Sequence, residues 1–415
     1  MPHPAPHDAP RADPRRMAAL LVAGAIDGQM LPDIALPAAE PSARARAQRL
    51  ALTVLRNLGR ADMVLQQHVH KEPTPEVLAV LRVATVEMLE LDAPSHGVVN
   101  AAVNALKADR DTARAAGMAN AVLRKVAEYE GWADLPIQRL PGWLRRRLKA
   151  IWGEDAVLAI EAAHHAGGTV DLTLKPGLAA PEGGEPVAGS WRMPAGVQVS
   201  ALPGFDSGDW WVQDAAAALP ATLLAVQPGE TVLDLCAAPG GKTMQLAAAG
   251  ADVTALDLSQ PRLNRLRENL ARTGLAAQII AADMLDWTPP APFDAVLLDA
   301  PCSATGTIRR HPDLPLVRKP ADVTALTELQ ARMLDRALTF LKPGGRLVYC
   351  TCSLLPDEGE AQIAAALARH PGLSAETPPQ AVGRPTPEGG WRTRPDDHPQ
   401  GIDGFYMALV RRDPV

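Results

Sequence analysis

The sequence predicts two architectures in one chain: an all-α N-terminal domain, then an α/β domain with a twisted, mostly parallel, doubly wound sheet. Three observations carry this expectation. Between about residues 15 and 131 the apolar residues recur at helical spacing throughout. From about residue 200, short β-branched and aliphatic runs alternate with helical stretches. The first of those runs, Thr231-Val-Leu-Asp-Leu235, opens into the turn Cys236-Ala-Ala-Pro-Gly-Gly-Lys242 and then into helical composition. Strand, glycine turn and helix form the first unit of nucleotide-binding α/β folds. The glycines let backbone approach a ligand, and the helix N-terminus offers unpaired N–H donors.

A length of 415 residues suits two or three domains. With 47% hydrophobic and 21% charged residues the composition is that of a globular chain. A formal net charge of −6 argues against indiscriminate nucleic-acid binding by the whole surface, while leaving room for a local basic patch. No apolar run approaches the roughly 20 residues that cross a bilayer, so no membrane partner is expected. Arg15-Arg16 followed by Met17–Ile26 imitates a secretion signal, but Asp27 follows at once and no clean cleavage site precedes Gln29; the segment reads as a first helix. The four cysteines, Cys236, Cys302, Cys350 and Cys352, avoid the first half of the chain and form no Cys-x-x-Cys pair. Neither a disulfide framework nor a metal site is expected, and a cytoplasmic monomer is.

Residues 1–14, rich in Pro, His and Asp, read as a disordered tail. The helical domain is placed at 15–135, a connecting subdomain at 136–200 and the α/β domain at 201–415. Within the first, Ser42 is expected to cap a helix running through Gln66, Val77–Leu91 to form a central buried helix, Pro94-Ser95 to introduce one through Lys107, and Thr112–Glu130 to form the last. Ser95-His-Gly-Val-Val-Asn-Ala-Ala-Val103 and Gly117-Met-Ala-Asn-Ala-Val-Leu-Arg124 resemble the RNA-binding NusB helical fold. That resemblance implies RNA binding, although the charge of the segment is mixed. In the connecting region, Leu140-Pro-Gly-Trp-Leu-Arg-Arg-Arg-Leu-Lys149 suits either phosphate contacts or a solvated helix face. Val170–Leu174 reads as a strand, Pro176–Gly189 as a surface loop, and His164-His165 as ordinary polar residues.

The α/β strands are expected at Thr231–Leu235, Asp252–Leu256, Gln278–Ala281, Ala295–Leu298, Arg346–Tyr349 and Phe405–Val410, with helices at Gln260–Thr273 and Asp322–Phe340. Such folds bind ligands at the carboxyl ends of their strands. Asp257, closing the second strand about 20 residues beyond Asp234, is placed to accept ribose hydroxyls. Asp283, closing the third, could reach an adenine amino group. The glycine spacing before Lys242-Thr243 does not make a phosphate-clamping loop, which favours a ligand with a ribose and an amino-acid tail.

Two further strand ends carry thiols: Asp299-Ala-Pro-Cys302-Ser303, and Tyr349-Cys-Thr-Cys352-Ser353. Paired thiols beside a nucleotide-type cleft suggest covalent catalysis on carbon. C5 of cytosine is too weak a nucleophile to take a methyl group directly. A thiolate adding at C6 turns the ring into an enamine; loss of the C5 proton and of the thiolate then restores aromaticity. Asp299 could hydrogen-bond the N3/N4 edge of the base meanwhile.

Asp234–Thr243, Asp299-Ala-Pro-Cys-Ser303 and Thr351-Cys-Ser353, with Gly306-Thr-Ile-Arg-Arg-His-Pro-Asp313 and Asp403-Gly-Phe-Tyr406, resemble the RNA 5-methylcytosine methyltransferases of the Sun family. With the NusB-like front, the likeness extends over nearly the whole chain and implies a Rossmann-like S-adenosylmethionine-dependent methyltransferase domain acting on small-subunit ribosomal RNA. It further implies that Cys236, Ala237, Ala238, Pro239, Gly240, Gly241, Lys242, Asp257, Asp283 and Asp299 line the S-adenosyl-L-methionine site. By the same resemblance Cys352 is the attacking thiol, Cys302 assists product release, and no metal is needed. Spacing alone leaves the roles of the two cysteines open, since related DNA enzymes attack with the Pro-Cys thiol. The chain departs from the family at Asp171-Leu-Thr-Leu-Lys-Pro176, where relatives show Arg-Val-Asn after the strand, and in the extra thiol Cys350, which reads as a core filler.

Overall fold

A computed structural model describes residues 13–414. They form two units: the chain to Arg145 together with His311–Arg318, and Arg146–Arg310 with Lys319 onward.

The first unit is all-helical. Its α1 (Pro14–Ile26) starts earlier than the sequence suggests, because the Asp13 carboxylate accepts the Arg15 N–H at 3.0 Å and Pro14 suits the first helical position. The rest of the expected tail, residues 1–12, lies outside the described residues. The single helix expected from Ser42 to Gln66 is two, α2 (Pro41–Arg56) and α3 (Leu58–Gln66). Ser42 is not the cap but lies inside α2. The break falls at buried Asn57, whose amide donates to the Thr53 carbonyl while its oxygen accepts Arg60. As expected, α4 (Pro75–Leu89) is the central helix, packed against α1, α2, α3, α5 (Ser95–Lys107) and α6 (Ala116–Val126). The last helix is shorter than Thr112–Glu130. Thr112 instead donates its hydroxyl to the Leu106 carbonyl, and a 3-10 turn at Ala113–Ala115 precedes α6. In the segment His311–Arg318, Leu316 packs on the same core and the buried Asp313 carboxylate accepts the Leu31 N–H at 3.1 Å.

The chain runs on through α7 (Gly142–Ala166), interrupted at Gly153, whose φ of 85° is left-handed. Leu144 and Leu148 are buried, while Arg147 pairs with Asp357 and Lys149 with Glu154, so part of the basic run is neutralised. Read from the sequence as an ordinary polar residue, His164 proves to be a buried one. Burial followed by the charge of Arg309 lowers its imidazole to about 3, leaving it neutral.

A small antiparallel sheet follows, in the order β2 (Glu185–Val187), β3 (Ser190–Met193), β1 (Val170–Leu174), β4 (Trp210–Val212). Asp171 of β1 and Arg192 of β3 form a buried ion pair 2.7 Å apart in it. The loop expected at Pro176–Gly189 therefore contains a short strand.

The large sheet has a parallel centre: β9 (Leu341–Thr351), β8 (Phe293–Asp299), β5 (Thr231–Leu235), β6 (Asp252–Asp257) and β7 (Gln278–Ala281). Antiparallel β13 (Tyr406–Arg412) joins β9, and β10 (Leu373–Ala375), β11 (Arg384–Pro385) and β12 (Trp391–Arg392) extend that edge. Alternation along the strands feeds two cores. Leu233, Val296, Leu298 and Leu347 face α11 (Pro320–Leu338) and α12 (Glu360–Arg369); Val232, Leu297, Val348 and Cys350 face α8 (Ala215–Leu224). Between strands, α9 (Gly241–Ala248) and α10 (Gln260–Thr273) complete the winding. The five parallel strands therefore end on one edge, where the sequence motifs begin. Among the described residues no helix is long and apolar enough to cross a membrane.

Candidate active site

The turn after β5 bends sharply. Cys236 adopts φ 61°, and Gly240 reaches φ 106° just before α9, where a side chain would be strained. Buried Asp234 anchors the turn by accepting the Thr243 hydroxyl on Oδ2 at 2.6 Å, while its Oδ1 has no partner. Burial, only partly offset by that bond and by Lys242, raises this carboxyl to about 7. Burial likewise pushes the Cys236 thiol up, with the carboxylates of Asp299, Asp257 and Asp234 adding to it, so this cysteine is no thiolate.

At the end of β6, Asp257 is buried, its two oxygens taking the backbone N–H groups of Ala238 (3.1 Å) and Ser259 (2.9 Å). Each oxygen keeps a lone pair for a hydroxyl donor. Asp283 is exposed, two residues past the end of β7 rather than at it, and accepts the Leu285 N–H at 2.9 Å. At the end of β8, Asp299 binds Lys242 Nζ at 2.7 Å on one oxygen and receives the Cys350 thiol at 3.5 Å on the other. Cys350 is thus more than filler: it supports Asp299 from behind. Burial works against the Lys242 charge, but Asp299 together with Cys350 and Asp234 outweighs it and raises the ammonium, which also lies 5.3 Å from the Phe405 ring.

The two thiols predicted to work together do meet. Cys302 Sγ and Cys352 Sγ are 3.4 Å apart. Their contact, then burial, raises the Cys302 thiol well above its ordinary value. Cys302 therefore holds its proton.

Two clefts meet along this edge. One, of about 490 Å³, is lined by Cys236, Asp257, Asp283, Asp299, Cys302 and Cys352, with Leu258, Met284 and Leu285 as apolar wall. Leu258 is 72% exposed at its rim. The other, of about 360 Å³, is lined by Ala237, Ala238, Pro239, Gly241 and Lys242 together with Asp234, Gln213, Arg272 and Arg310; it shares Cys236 and Asp299 with the first. The turn is therefore a wall between two spaces. Gly240 lines neither, its turn packing toward Leu266. Three carboxylates against the single guanidinium of Arg262 make the larger cleft a place for hydroxyls and a cation, not for phosphates. S-adenosylmethionine, with its ribose, sulfonium and ammonium, matches that donor set. No cluster of His, Cys, Asp and Glu that could hold a metal occurs among the described residues.

Sequence reasoning missed Arg310, Glu358 and Gln330 near this edge. Arg310 pairs with Asp403, whose charge raises the guanidinium against the cost of burial, and it faces the smaller cleft. The run Gly306–Asp313 and the pair Asp403-Gly404 drew notice only as motifs, and nothing in their spacing shows that they meet.

A family model described as 16S rRNA methyltransferase RsmB/F matches residues 221–411, and a NusB family model matches residues 16–128. Among curated relatives, the ribosomal RNA small subunit methyltransferase B of Xanthomonas campestris is 37% identical over 410 residues, covering 91% of each chain. That of Pseudomonas putida is 37% identical over 432 residues, covering 95% of this chain and 98% of its own. Among solved structures, the protein designated PH0851 superposes with a TM-score of 0.76 at 25% identity, covering 97% of this chain and 99% of that one. A methyltransferase homologue from Pyrococcus horikoshii gives 0.56 at 28% identity, over 64% and 93%.

Proposed function

The chain belongs to the family of ribosomal RNA small subunit methyltransferase B, and from that premise we propose that it methylates C5 of a cytosine in small-subunit ribosomal RNA through a covalent bond from Cys352 to C6. It is a methyltransferase that depends on S-adenosylmethionine. The observation that carries the finer reading is the 3.4 Å approach of two thiols at a cleft edged by Asp299, whose carboxylate Lys242 holds at 2.7 Å.

Bound in the larger cleft, S-adenosylmethionine supplies an electrophilic methyl group on a sulfonium. We assign its ribose to Asp257, its adenine edge to Asp283, and its flanks to Asp299 and Cys236, with Ala237–Lys242 backing Cys236 from the smaller cleft. The protein's own steps follow. Cys302, a thiol that holds its proton, donates to Cys352 and supports a thiolate there. Cys352 attacks C6, and the electron pair of the C5–C6 double bond moves to C5, which takes the methyl group. Asp299, with Lys242 beside it, meets the N3/N4 edge and steadies the charge that addition places on the ring. Surrender of the C5 proton to a base in the cleft expels Cys352, and the Cys302 S–H stabilises the departing sulfur. A stacked, paired cytosine hides C6, so the target base enters flipped out of its helix. Such a substrate places the enzyme's work in the cytoplasm.

The test separates the thiols. Incubated with S-adenosylmethionine and ribosomal RNA, Cys302→Ala accumulates a protein–RNA adduct that survives denaturation, because methylated base is not released. Cys352→Ala forms no adduct and no 5-methylcytosine. The opposite pattern assigns the attack to Cys302 and overturns the role given to Cys352.

A further inference from the structure

Behind the two thiols lies a carboxylate that the mechanism has not used. Glu358, at the end of the turn Pro356–Glu358 after β9, is completely buried. Among the described residues no lysine, arginine or histidine forms an ion pair with it. An isolated buried carboxylate is costly unless its lone pairs are filled. Here they are filled by groups next to the cysteines. Oε1 accepts the Ser303 N–H at 2.8 Å and the Gln330 amide at 3.1 Å; Oε2 accepts the hydroxyls of Ser303 and Ser353, both at 2.5 Å. Ser303 follows Cys302, and Ser353 follows Cys352.

The grip continues on either side. The Gln330 amide also donates to the Pro301 carbonyl at 2.8 Å, so Pro301-Cys302-Ser303 is held at both flanks. The backbone carbonyl of Glu358 accepts the Tyr349 hydroxyl at 2.8 Å and the Thr351 hydroxyl at 3.2 Å, fixing the strand that delivers Cys352. Ser303, Gln330, Tyr349, Thr351 and Ser353 are all buried. Six donors of five residues, from two separate strand ends and from α11, thus converge on one residue. The fold could close the same space with a neutral side chain at less cost, so the carboxylate must answer another demand.

We propose that Glu358 is a positioning residue for methyl transfer: its single carboxylate sets the Cys302 and Cys352 backbones in register, so that the two sulfurs meet. The inference rests on the covalent reading above. Glu358 lines neither cleft and touches no reacting atom; it acts through Ser303 and Ser353. A carboxylate also suits the task better than an amide, because all four donors that reach it are satisfied by acceptor lone pairs alone.

The experiment compares Glu358→Ala, Glu358→Gln and the wild type in steady-state methylation of ribosomal RNA, with S-adenosylmethionine affinity measured separately by calorimetry. Glu358→Ala is expected to lose about a hundredfold in kcat, the usual consequence of misplacing reacting groups by about an ångström, with KM for RNA and the cofactor affinity nearly unchanged. Glu358→Gln recovers most of that loss, since its carbonyl still accepts the Ser303 N–H and the serine hydroxyls can rotate to accept its amide. In a Cys302→Ala background, Glu358→Ala slows formation of the denaturation-resistant adduct by the same factor. A folded, cofactor-binding Glu358→Ala enzyme with wild-type kcat overturns the proposal; so does parallel loss of kcat and cofactor affinity in both variants, which marks a merely structural residue. If Glu358→Ala does not fold, the double variant Ser303→Ala/Ser353→Ala, which removes the two hydroxyl arms, decides by the same split between kcat and affinity. Cys352→Ala in the same assay keeps the two ideas apart. Its retained activity would sink the covalent reading, whereas its inactivity beside a fully active Glu358→Ala enzyme would sink only this one.

Discussion

The two units are held together by different means. The helical unit closes around alkyl groups: Leu21, Val54, Leu81, Val86 and Leu123 are buried, and the charges that join them, chiefly Arg60, Glu87 and Asp313, are few. The second unit buries Asp171, Asp214, Asp234, Asp257, Glu358 and Asp403 with Arg192, Arg309 and Arg392, largely around the strand ends. Alkyl packing is forgiving in direction, and any well-filled arrangement of similar volume will serve. Hydrogen-bonded charges are exacting in direction and costly when a partner is lost. The fold spends its directional interactions where reacting groups must be placed and leaves the helical scaffold to packing.

The largest expected effect follows from breaking the buried charge network. Arg309 is fully buried, donating Nε to Asp403 at 3.0 Å and bonding Asp214 through its other arm. Arg309→Met leaves Asp214 without its guanidinium and should destabilise the second unit by about 3–5 kcal/mol. Hydrogen exchange read unit by unit checks this, because it localises the loss. In the helical unit, Leu123→Ala should cost about 3 kcal/mol, the usual toll of a cavity left by a buried leucine. If the leucine proves the costlier loss, the contrast between the units is reversed.

The sequence exposes this difference only in part. Helical spacing and the alternation of strands survive in the structure because they reflect burial, which each residue records for itself. Leu347 and Val348 announce the two faces of a strand without knowing their partners. The thiols and acids at strand ends are legible for a similar reason: the strand shows in its composition, and the motif follows. What does not show is pairing across distance. Glu358 sits in a segment with ordinary loop composition, and only folding brings it to Ser303, 55 residues away. The Cys350 contact with Asp299, the burial of His164 and the packing of Leu316 with the helical core are of the same kind. The break at Asn57 escaped notice because its cause is a local side-chain bond that competes with the helix, not a breaker residue.

The smallest expected effect is a gain, and it probes what a buried charge costs. Asp234 has its folded-state carboxyl raised to about 7, chiefly by burial, against about 3.9 for an unfolded aspartate. Between those two values the folded protein binds the proton more tightly than the unfolded chain does. Stability from this group is therefore full below about pH 4, declines as pH rises toward about 7, and stays low above it. Asp234→Asn keeps the size and the acceptor for the Thr243 hydroxyl but cannot ionise. It should flatten that part of the stability–pH curve and raise stability above pH 7, read by denaturant titration across the range. Asp234 also lines the smaller cleft, which meets the cofactor's cleft at Cys236, so the same variant should also bind S-adenosylmethionine more weakly. A variant that is no more stable than the wild type at pH 8 would mean that Asp234 finds full compensation for its charge. A more stable variant with undiminished cofactor affinity would mean that the charge is buried there without serving the ligand.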